Sequence, residues 1–187
     1  MGQLVLLATT GTGIARASAA RADGAWTVER SLSDHDVRCL AAAPLQPRTI
    51  YAGTQGAGVL RSDDGGLSWQ PSGLAGQFVK SLAVSRVAPG TIYAGMKPAL
   101  VYVSRDGGAS WQELSGFRRI RSRRFWFSPA EKPFSAYVQA LALSPDDPDQ
   151  ASAATRDGRR SLQGTLSRNR LRRRGRVGSA DGSNAQP

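Results

Sequence analysis

The sequence has little of the chemistry that many enzymes use. It is 187 residues long and holds one cysteine and one histidine. Cys39 alone cannot form an internal disulfide or a cysteine-based zinc cluster. His35 lies between Asp34 and Asp36 in a loop. A Ser-His-Asp triad would need a serine held beside it, and nothing in the sequence argues for one. No group of residues has metal-ligand spacing. The sequence therefore predicts neither a metal nor a cofactor.

Long apolar runs are also missing. The apolar stretch 4–8 near the start is too short for a signal peptide or a membrane span and has no basic region before it, so it fits a short strand. The hydrophobic content of 40% still allows a core. We expect a cytoplasmic protein that does not enter a membrane, in which Cys39 is a small buried strand residue.

Acidic residues are few, and the excess of basic residues is local. There are 14 Asp and Glu against 25 Lys and Arg, which gives a net charge of +11. The segment 151–187 holds nine Arg and two Asp, and the segment 117–137 holds five Arg, one Lys and one Glu. The rest of the chain is close to neutral. We therefore expect contact with nucleic acid only as non-specific attraction by the Arg-rich tail.

The sequence contains an internal repeat. An octapeptide at 62–69, SDDGGLSW, returns 42 residues later at 104–111 as SRDGGASW. The tetrapeptide IYAG at 50–53 returns at 92–95 with the same offset. Each repeat contains four short strand patterns bounded by Gly, Pro or Asp. A period of about 40 to 45 residues with four strands per unit is typical of a β-propeller blade.

The octapeptide resembles the Asp-box of the bacterial neuraminidase repeat (BNR) family, which reads S-x-D-x-G-x-[ST]-W. Both copies match every fixed position. The matching residues are Ser62, Asp64, Gly66, Ser68 and Trp69, and then Ser104, Asp106, Gly108, Ser110 and Trp111. We interpret the box as a hairpin clasp: the Asp accepts backbone hydrogen bonds, glycines supply positive φ, and the Trp is buried against a neighbouring blade. A structural role is favoured over a catalytic aspartate.

The predicted fold is all-β, a partial β-propeller of about three four-stranded blades with Asp-box hairpins, followed by a disordered basic tail. The predicted segments are a degenerate first blade at 1–36, blades with boxes at 37–78 and 79–116, a basic and aromatic insert loop at 117–137, the first strand of an incomplete blade at 138–149, and the tail at 150–187. In the first blade, residues 6–16 resemble the second and third strands and residues 23–26 resemble a worn box, whereas the first strand is lacking.

The tail is predicted to be disordered because residues 151–187 contain no aromatic residue and no convincing alternation. We interpret it as an out-of-frame or unrelated continuation of a truncated propeller. An open arc of blades leaves strand edges uncovered, so we also expect self-association.

The insert is the strongest candidate for a binding surface. It concentrates five arginines beside the aromatic triplet 125–127 and joins the last strand of one blade to the first strand of the next. That connection shares a face with the loops between second and third strands. The ligand-binding candidates are Lys97, Arg123, Arg124 and Trp126, for an anionic small molecule, a glycan or a protein. The alternative is a lid whose phenylalanines pack on the ring.

The resemblance leaves three functions open. The sialidase branch of BNR proteins binds a carboxylate with three arginines from separate blades, whereas the insert arginines lie in one loop. Glu131 is a weak catalytic candidate, because glycoside hydrolysis needs a second carboxylate. Other box-bearing propellers, such as sorting receptors and photosystem assembly factors, are binding modules. We therefore expect a binding or scaffold module that uses its channel-side loops. The alternatives are a truncated glycosyl hydrolase and non-specific polyanion binding by the tail.

Overall fold

A computed structural model describes residues 3–118, 135–147, 151–156, 161–166 and 171–172, and describes side chains within 3–116, 135–147 and 151–155. These residues form four antiparallel sheets and one short helix. The fold is therefore all-β, as the repeat pattern predicts.

The first two sheets occupy the N-terminal part of the chain. The first has the strand order β1-β2-β3 and the second has β4-β5-β6-β7. Their strands are β1 Leu4–Thr9, β2 Ile14–Ala19, β3 Thr27–Ser31, β4 Val37–Ala43, β5 Gln46–Thr54, β6 Val59–Ser62 and β7 Gln70–Pro71. The first sheet has three described strands, in line with a first blade that lacks its own first strand.

The third and fourth sheets repeat the four-stranded arrangement. Their orders are β8-β9-β10-β11 and β12-β13-β14-β15. The strands are β8 Phe78–Val84, β9 Ile92–Lys97, β10 Val101–Ser104, β11 Gln112–Glu113, β12 Tyr137–Leu143, β13 Ala151–Arg156, β14 Ser161–Leu166 and β15 Leu171–Arg172, and the helix α1 spans Ser115–Arg118. In each four-stranded sheet, consecutive strands are hydrogen-bonded neighbours.

Consecutive four-stranded sheets pack against one another, and their first strands are in contact. Strand β8 contacts both β4 and β12, so the first strands of consecutive sheets lie side by side. Val37, Val79 and Val138, at equivalent positions of these three strands, are fully buried. Burial of such a side chain contributes about 1.5–3 kcal/mol. The hydrophobic core is therefore a series of interfaces between sheets, as expected when each unit rests on its neighbour.

The repeated glycine of the IYAG motif allows this close approach. A Cβ at Gly95 would lie 2.6 Å from Val138 Cγ1 and 2.3 Å from Ser81 Oγ, and a Cβ at Gly53 would lie 2.7 Å from Val79 Cγ1. No side chain fits at such distances without displacing the next sheet. Each glycine therefore sets how closely one blade approaches the next.

Cys39 lies beneath Gly53 and is partly buried. Desolvation by burial raises the pKa of its thiol to about 12. It occupies the position that Ser81 holds in the next blade, and it is a packing residue, as the sequence indicates.

Part of the segment 150–187, which the sequence predicts to be disordered, forms strands in the structure. Strand β13 pairs with β12 along its whole length, β14 pairs with β13, and β15 adds a short fourth strand. The incomplete blade predicted at 138–149 thus continues into these strands. Residues 173–187 lie outside the described part of the chain.

The composition of β13 explains why this strand is hard to recognise. Its buried positions are Ala151, Ala153 and Thr155, which alternate with more exposed residues. Alanine is depleted in strands and threonine is polar, so the alternation carries almost no hydrophobic signal. The strand is fixed by its partner β12 and by the cluster that contains Tyr93 and Val138. Tertiary contacts therefore override the weak local preference.

Candidate functional site

The first octapeptide, here the first box turn, is closed by its own side chains. Asp64 accepts hydrogen bonds from the backbone N–H of Leu67 at 2.9 Å and of Ser68 at 3.0 Å, and also from the Ser68 hydroxyl. Ser62 donates to Asp64 Oδ1 at 2.7 Å and accepts from Gly66 N–H at 2.8 Å. The carboxylate therefore organises its own turn.

The second box turn repeats this geometry. Asp106 accepts from the Ser110 N–H at 2.9 Å and from the Ser110 hydroxyl, and Ser104 donates to Asp106 at 2.7 Å. Gly107 and Gly108 both have positive φ, at 73° and 94°. Hydrogen bonds from Ser110, first from its side chain and then from its backbone, hold the pKa of Asp106 well below its usual range. An anion held in this way is a poor proton acceptor.

The box tryptophans connect neighbouring sheets. Trp111 Nε1 donates to the Ser72 carbonyl at 2.6 Å, and Ser72 follows the last strand of the preceding sheet. Trp69 Nε1 donates to Ser31 Oγ at 3.2 Å, at the end of β3. A Cβ at Gly73 would meet the Trp111 ring at 2.6 Å. Each indole therefore wedges against the blade before its own.

A second inter-sheet contact uses arginines that the sequence analysis did not single out. Arg16 on β2 donates to the Gly65 carbonyl at 3.0 Å, and Arg61 on β6 donates to the Gly107 carbonyl, also at 3.0 Å. The two arginines are equivalent in the repeat, and so are the two carbonyls. Val103 stands at the corresponding place in β10. Each arginine therefore ties a strand of one sheet, β2 or β6, to the box turn of the next sheet.

The opposite face carries the loops that the sequence analysis singled out. Gly56 N–H donates to the Gln77 carbonyl at 3.1 Å, and Ala99 N–H donates to the Ala136 carbonyl at 2.8 Å. The loop between second and third strands thus meets the linker that enters the following sheet. We call this surface, formed by 54–57, 76–78, 96–99 and 135–137, the mouth face.

Each first strand has a β-bulge where it enters its sheet. The registers shift between Val37 and Cys39, between Val79 and Ser81, and between Val138 and Ala140. The extra residues are therefore Arg38, Lys80 and Gln139. A bulge leaves one residue outside the ladder and re-aims its side chain. In two of the three bulges the extra residue is cationic, Arg38 in β4 and Lys80 in β8.

The two bulge cations and Lys97 lie close to one aromatic ring, that of Phe78. The centroid of the Phe78 ring lies 4.6 Å from Lys80 Nζ, 5.5 Å from Arg38 Cζ and 5.8 Å from Lys97 Nζ. Lys80 Nζ also lies 4.7 Å from the centroid of the Tyr137 ring. We call these five residues the rim cluster. Aromatic faces attract cations, which offsets part of the repulsion between three positive charges.

Asp36 pairs with Arg38 of the rim cluster. Arg38 Nη2 forms an ion pair with Asp36 and donates to Gln55 Oε1 at 3.1 Å. This pair holds the guanidinium beside the Phe78 ring. His35, which precedes Asp36, has a buried Nδ1 without a hydrogen-bond partner among the described residues. Because Asp36 pairs with Arg38, it is not arranged to orient His35 as in a catalytic triad.

The structure describes one of the four predicted ligand-binding residues, Lys97. Lys97 is 4% exposed and belongs to the rim cluster. Arg123, Arg124, Trp126 and the catalytic candidate Glu131 lie outside the described residues. The sequence analysis missed Arg38, Lys80, Phe78 and Tyr137. A signal was present, because Arg38 and Lys80 are aligned in the repeat, but sequence alone does not show the bulge that turns them to one place.

Metal-binding clusters and membrane-spanning helices are both absent from the described residues. No group of three or more His, Cys, Asp and Glu in this part of the chain could hold a metal ion. No helix within the same residues has the length and apolar character required to span a bilayer.

The comparisons with known proteins support the β-propeller class. No protein-family model matches this sequence, and no curated protein does. Solved structures do match, at low identity, and they are β-propeller proteins. Together with the four sheets packed through their first strands, this makes the chain a β-propeller fold.

Three of the matching structures differ widely in function. A GH74 enzyme of Niastella koreensis matches with a TM-score of 0.60 at 20% identity, over 89% of this chain and 27% of the enzyme. A COPII outer-coat protein matches with 0.64 at 11% identity, over 89% and 44%. A chain of a nidogen/laminin complex matches with 0.56 at 15% identity, over 92% and 60%. This chain therefore spans less than two thirds of each neighbour.

Proposed function

We propose that this chain is part of a propeller of the BNR/Asp-box type and acts as a binding module through its mouth face. The rim cluster is the observation that carries the proposal. Bulges in β4 and β8 bring Arg38 and Lys80 to the same ring as Lys97. Bulges recur beside functional sites because they re-aim side chains. We also propose that this chain forms one part of a larger propeller. We further propose that the protein is cytoplasmic.

The described carboxylates support binding over hydrolysis. Asp64 and Asp106 are engaged by their own turns, on the face opposite to the rim cluster. Asp36, beside the rim cluster, pairs with Arg38. Glycoside hydrolysis by the usual route needs two carboxyl groups flanking the scissile bond. The matching structures include an enzyme, a coat protein and a member of a protein complex, so fold similarity does not choose between these functions.

A blocking experiment tests the mouth face. The purified chain, with Cys39→Ser to remove the native thiol, is given one new cysteine by Gln55→Cys on the mouth face or Arg86→Cys in the β8–β9 turn. Each is coupled to a polyethylene glycol maleimide and applied to an array of acidic, basic and neutral peptides and oligosaccharides.

We expect the unmodified chain to bind at least one class of ligand on the array. The coupled Gln55→Cys variant should lose this binding. The coupled Arg86→Cys variant serves as the matched control and should bind as before. Absence of all binding, or equal loss in both coupled variants, contradicts the proposal.

The hydrolase alternative predicts a different result. Fluorogenic sialosides and other glycosides would be turned over, and Glu131→Gln would abolish the activity. Our proposal predicts no turnover above that of Glu131→Gln.

The polyanion alternative is tested at Arg173, Arg174 and Arg176, which follow β15. Replacing all three with Gln leaves β13–β15 unchanged, whereas deletion of 151–187 would remove three strands of the fourth sheet. RNA binding that is salt-sensitive and lost in this triple variant assigns that activity to the tail.

A further inference from the structure

Exposed apolar side chains are concentrated in the first sheet. Of the eight large hydrophobic residues that are exposed among the described residues, five lie in this sheet or directly before its last strand: Leu4, Val5, Leu6, Trp26 and Val28. Single exposed apolar residues are normal, whereas a cluster of them marks an interaction surface. The first sheet is therefore the strongest candidate for a contact with another protein surface.

Most of this apolar surface points away from the second sheet. Leu6 pairs with Ala17, and Ala17 pairs with Val28, so these residues form one row across the three strands. Leu7, the next residue of β1, packs against the cluster shared with the second sheet. Alternate residues of a strand point to opposite faces. We call the face away from the second sheet, formed by Leu4, Leu6, Ala8, Ala17 and Val28, the leading face.

In the next two sheets the equivalent residues are buried. The strand registers align Leu6 with Ile50 in β5 and with Ile92 in β9. Leu6 is 62% exposed, whereas Ile50 is 4% exposed and Ile92 is fully buried. Ile92 packs in one cluster with Val59 of the sheet before it. The leading face therefore has the design of an interface between blades, and no described sheet covers it.

The tryptophan before β3 follows the same rule. Trp69 and Trp111 each donate a hydrogen bond to the preceding sheet. Trp26 stands at the corresponding place before β3, and its side chain is exposed. It adjoins the leading face and extends the apolar surface.

The fourth sheet carries a surface that complements the leading face. Leu141 and Ala153 pack towards the third sheet, so their neighbours along β12 and β13 point away from it. These neighbours are small and partly or fully exposed, and we call them the trailing face: Ala140, Ala142, Ser152 and Ala154. Large side chains on one surface and small ones on the other allow two layers to interdigitate.

One residue of the trailing face decides which kind of sheet can follow it. Ala154 pairs with Ala140 as Gly53 pairs with Cys39. A Cβ at Gly53 would lie 2.7 Å from Val79 Cγ1 in the first strand of the following sheet. Ala154 carries such a Cβ, so a sheet with a valine at that place cannot approach as closely. The three described strands of the first sheet include no such first strand, and this sheet avoids the clash.

We propose that the leading face of one chain docks on the trailing face of a second copy, so that two chains of four sheets close a ring of eight. Propellers typically have four to eight blades. Contact between two different faces gives a closed ring where the rotation closes. This inference rests on the proposed larger propeller and names its other part as a second copy of this chain.

Sedimentation velocity of the full chain over a wide range of concentration tests the inference. Val28→Glu places a charge in the leading face, and Ala142→Glu places one in the trailing face. The matched controls, Val87→Glu in the β8–β9 turn and Ala109→Glu in the second box turn, add the same charge at exposed residues elsewhere. We expect the native chain and both controls to form a dimer. Each face variant should raise the dimer Kd about tenfold or more, because the interface would bury an unpaired charge.

A mixture of the two face variants separates docking between different faces from docking of the leading face on itself. In the mixture, the unchanged trailing face of Val28→Glu can meet the unchanged leading face of Ala142→Glu. We therefore expect the mixture to form a dimer at a concentration where neither variant does so alone. If Ala142→Glu dimerises like the native chain while Val28→Glu does not, the leading face pairs with itself and the inference is wrong.

Other outcomes also overturn the inference. These are a monomeric native chain, association that grows beyond a dimer, and equal loss of the dimer in the control variants. The mouth-face blocking experiment does not use these two surfaces. A monomeric chain that still loses its binding when the mouth face is blocked refutes the inference and leaves the proposed binding function standing. If Ala142→Glu does not fold in circular dichroism melts, Ser152→Glu, at an exposed position of the same face, gives the same comparison.

Discussion

At the scale of single residues, the box aspartates show how one side chain closes a turn. Asp64 and Asp106 each accept hydrogen bonds from the serine four positions ahead, through both its backbone and its hydroxyl. These bonds favour the ionised form and lower the pKa of each carboxyl group. The interactions are local and follow from the octapeptide, which is why the sequence predicts this part of the structure well.

The lowered pKa values predict a dependence of stability on pH. An unfolded aspartate has a pKa of about 3.9, so as the pH falls below about 4 the unfolded chain takes up these protons before the folded chain does. The stabilisation by Asp106 is therefore present above that pH and is lost as the pH falls towards the folded pKa. We expect Asp106→Asn to be less stable than the native chain at pH 7, and this difference to shrink at pH 3.

Urea unfolding at pH 7, 5 and 3 measures this effect, with Asp34→Asn as the control because Asp34 is an exposed loop carboxylate. A difference between Asp106→Asn and the native chain that is constant across the three pH values would refute this role for the carboxylate.

The rim cluster marks the limit of residue-scale prediction. Lys97 was predicted as a ligand candidate because it lies in a loop on the mouth face. Phe78 was not, since its importance comes from cations on other strands that approach its ring. Such convergence depends on bulge geometry and on the spacing of blades, which no local sequence pattern encodes.

At the scale of elements, strands with a strong apolar or turn pattern were predictable and weak ones were not. The repeat places β5 and β9 correctly, because the IYAG motif supplies buried apolar residues at both. Strand β13 was missed, since its buried positions are small. A strand of this kind is fixed by the partner that it pairs with rather than by its own propensity.

The glycine of each second strand gives an element-scale prediction. Gly95→Ala would place a Cβ 2.7 Å from Val138 Cβ and force β9 and β12 apart. Overpacking of this kind costs about 1–3 kcal/mol. We expect the free energy of unfolding to fall by that amount in a urea titration.

Gly116→Ala is the matched control, because a Cβ there meets no atom within 4 Å. The control should show no loss of stability. A Gly95→Ala variant as stable as the native chain would mean that the third and fourth sheets are not in contact at this place.

At the scale of the whole molecule, sheets of similar design succeed one another, and each is fastened to the next. The fasteners are the glycine contact, the box tryptophan and the arginine that reaches the next box turn. The repeated arginine is replaced by Val103 in β10, and the sequence of the sheet that follows contains no Asp-box. The repeat period predicted this succession of sheets. It did not predict that β13–β15 complete the fourth sheet, which is seen only in the strand pairing of the structure.

The first sheet presents an uncovered edge among the described residues. Strand β1 is hydrogen-bonded to β2 alone, and Leu6 on it is 62% exposed. Edge strands with exposed apolar residues tend to pair with other chains, and an inserted lysine discourages this. We expect the native chain to self-associate as its concentration rises and Leu6→Lys to weaken that association.

Sedimentation velocity over a hundredfold range of concentration measures the effect. Circular dichroism melts of Leu6→Lys and of the native chain serve as the control for folding. A native chain that stays monomeric over the whole range contradicts the expectation.

The measurement that tests the account most directly is ligand binding by the chain after its mouth face has been blocked. We predict that the Gln55→Cys variant coupled to polyethylene glycol loses the binding shown by the unmodified chain, whereas the coupled Arg86→Cys variant, modified in the β8–β9 turn, keeps it. Equal loss in both coupled variants, or no binding by the unmodified chain, would contradict the assignment of the mouth face as the binding surface.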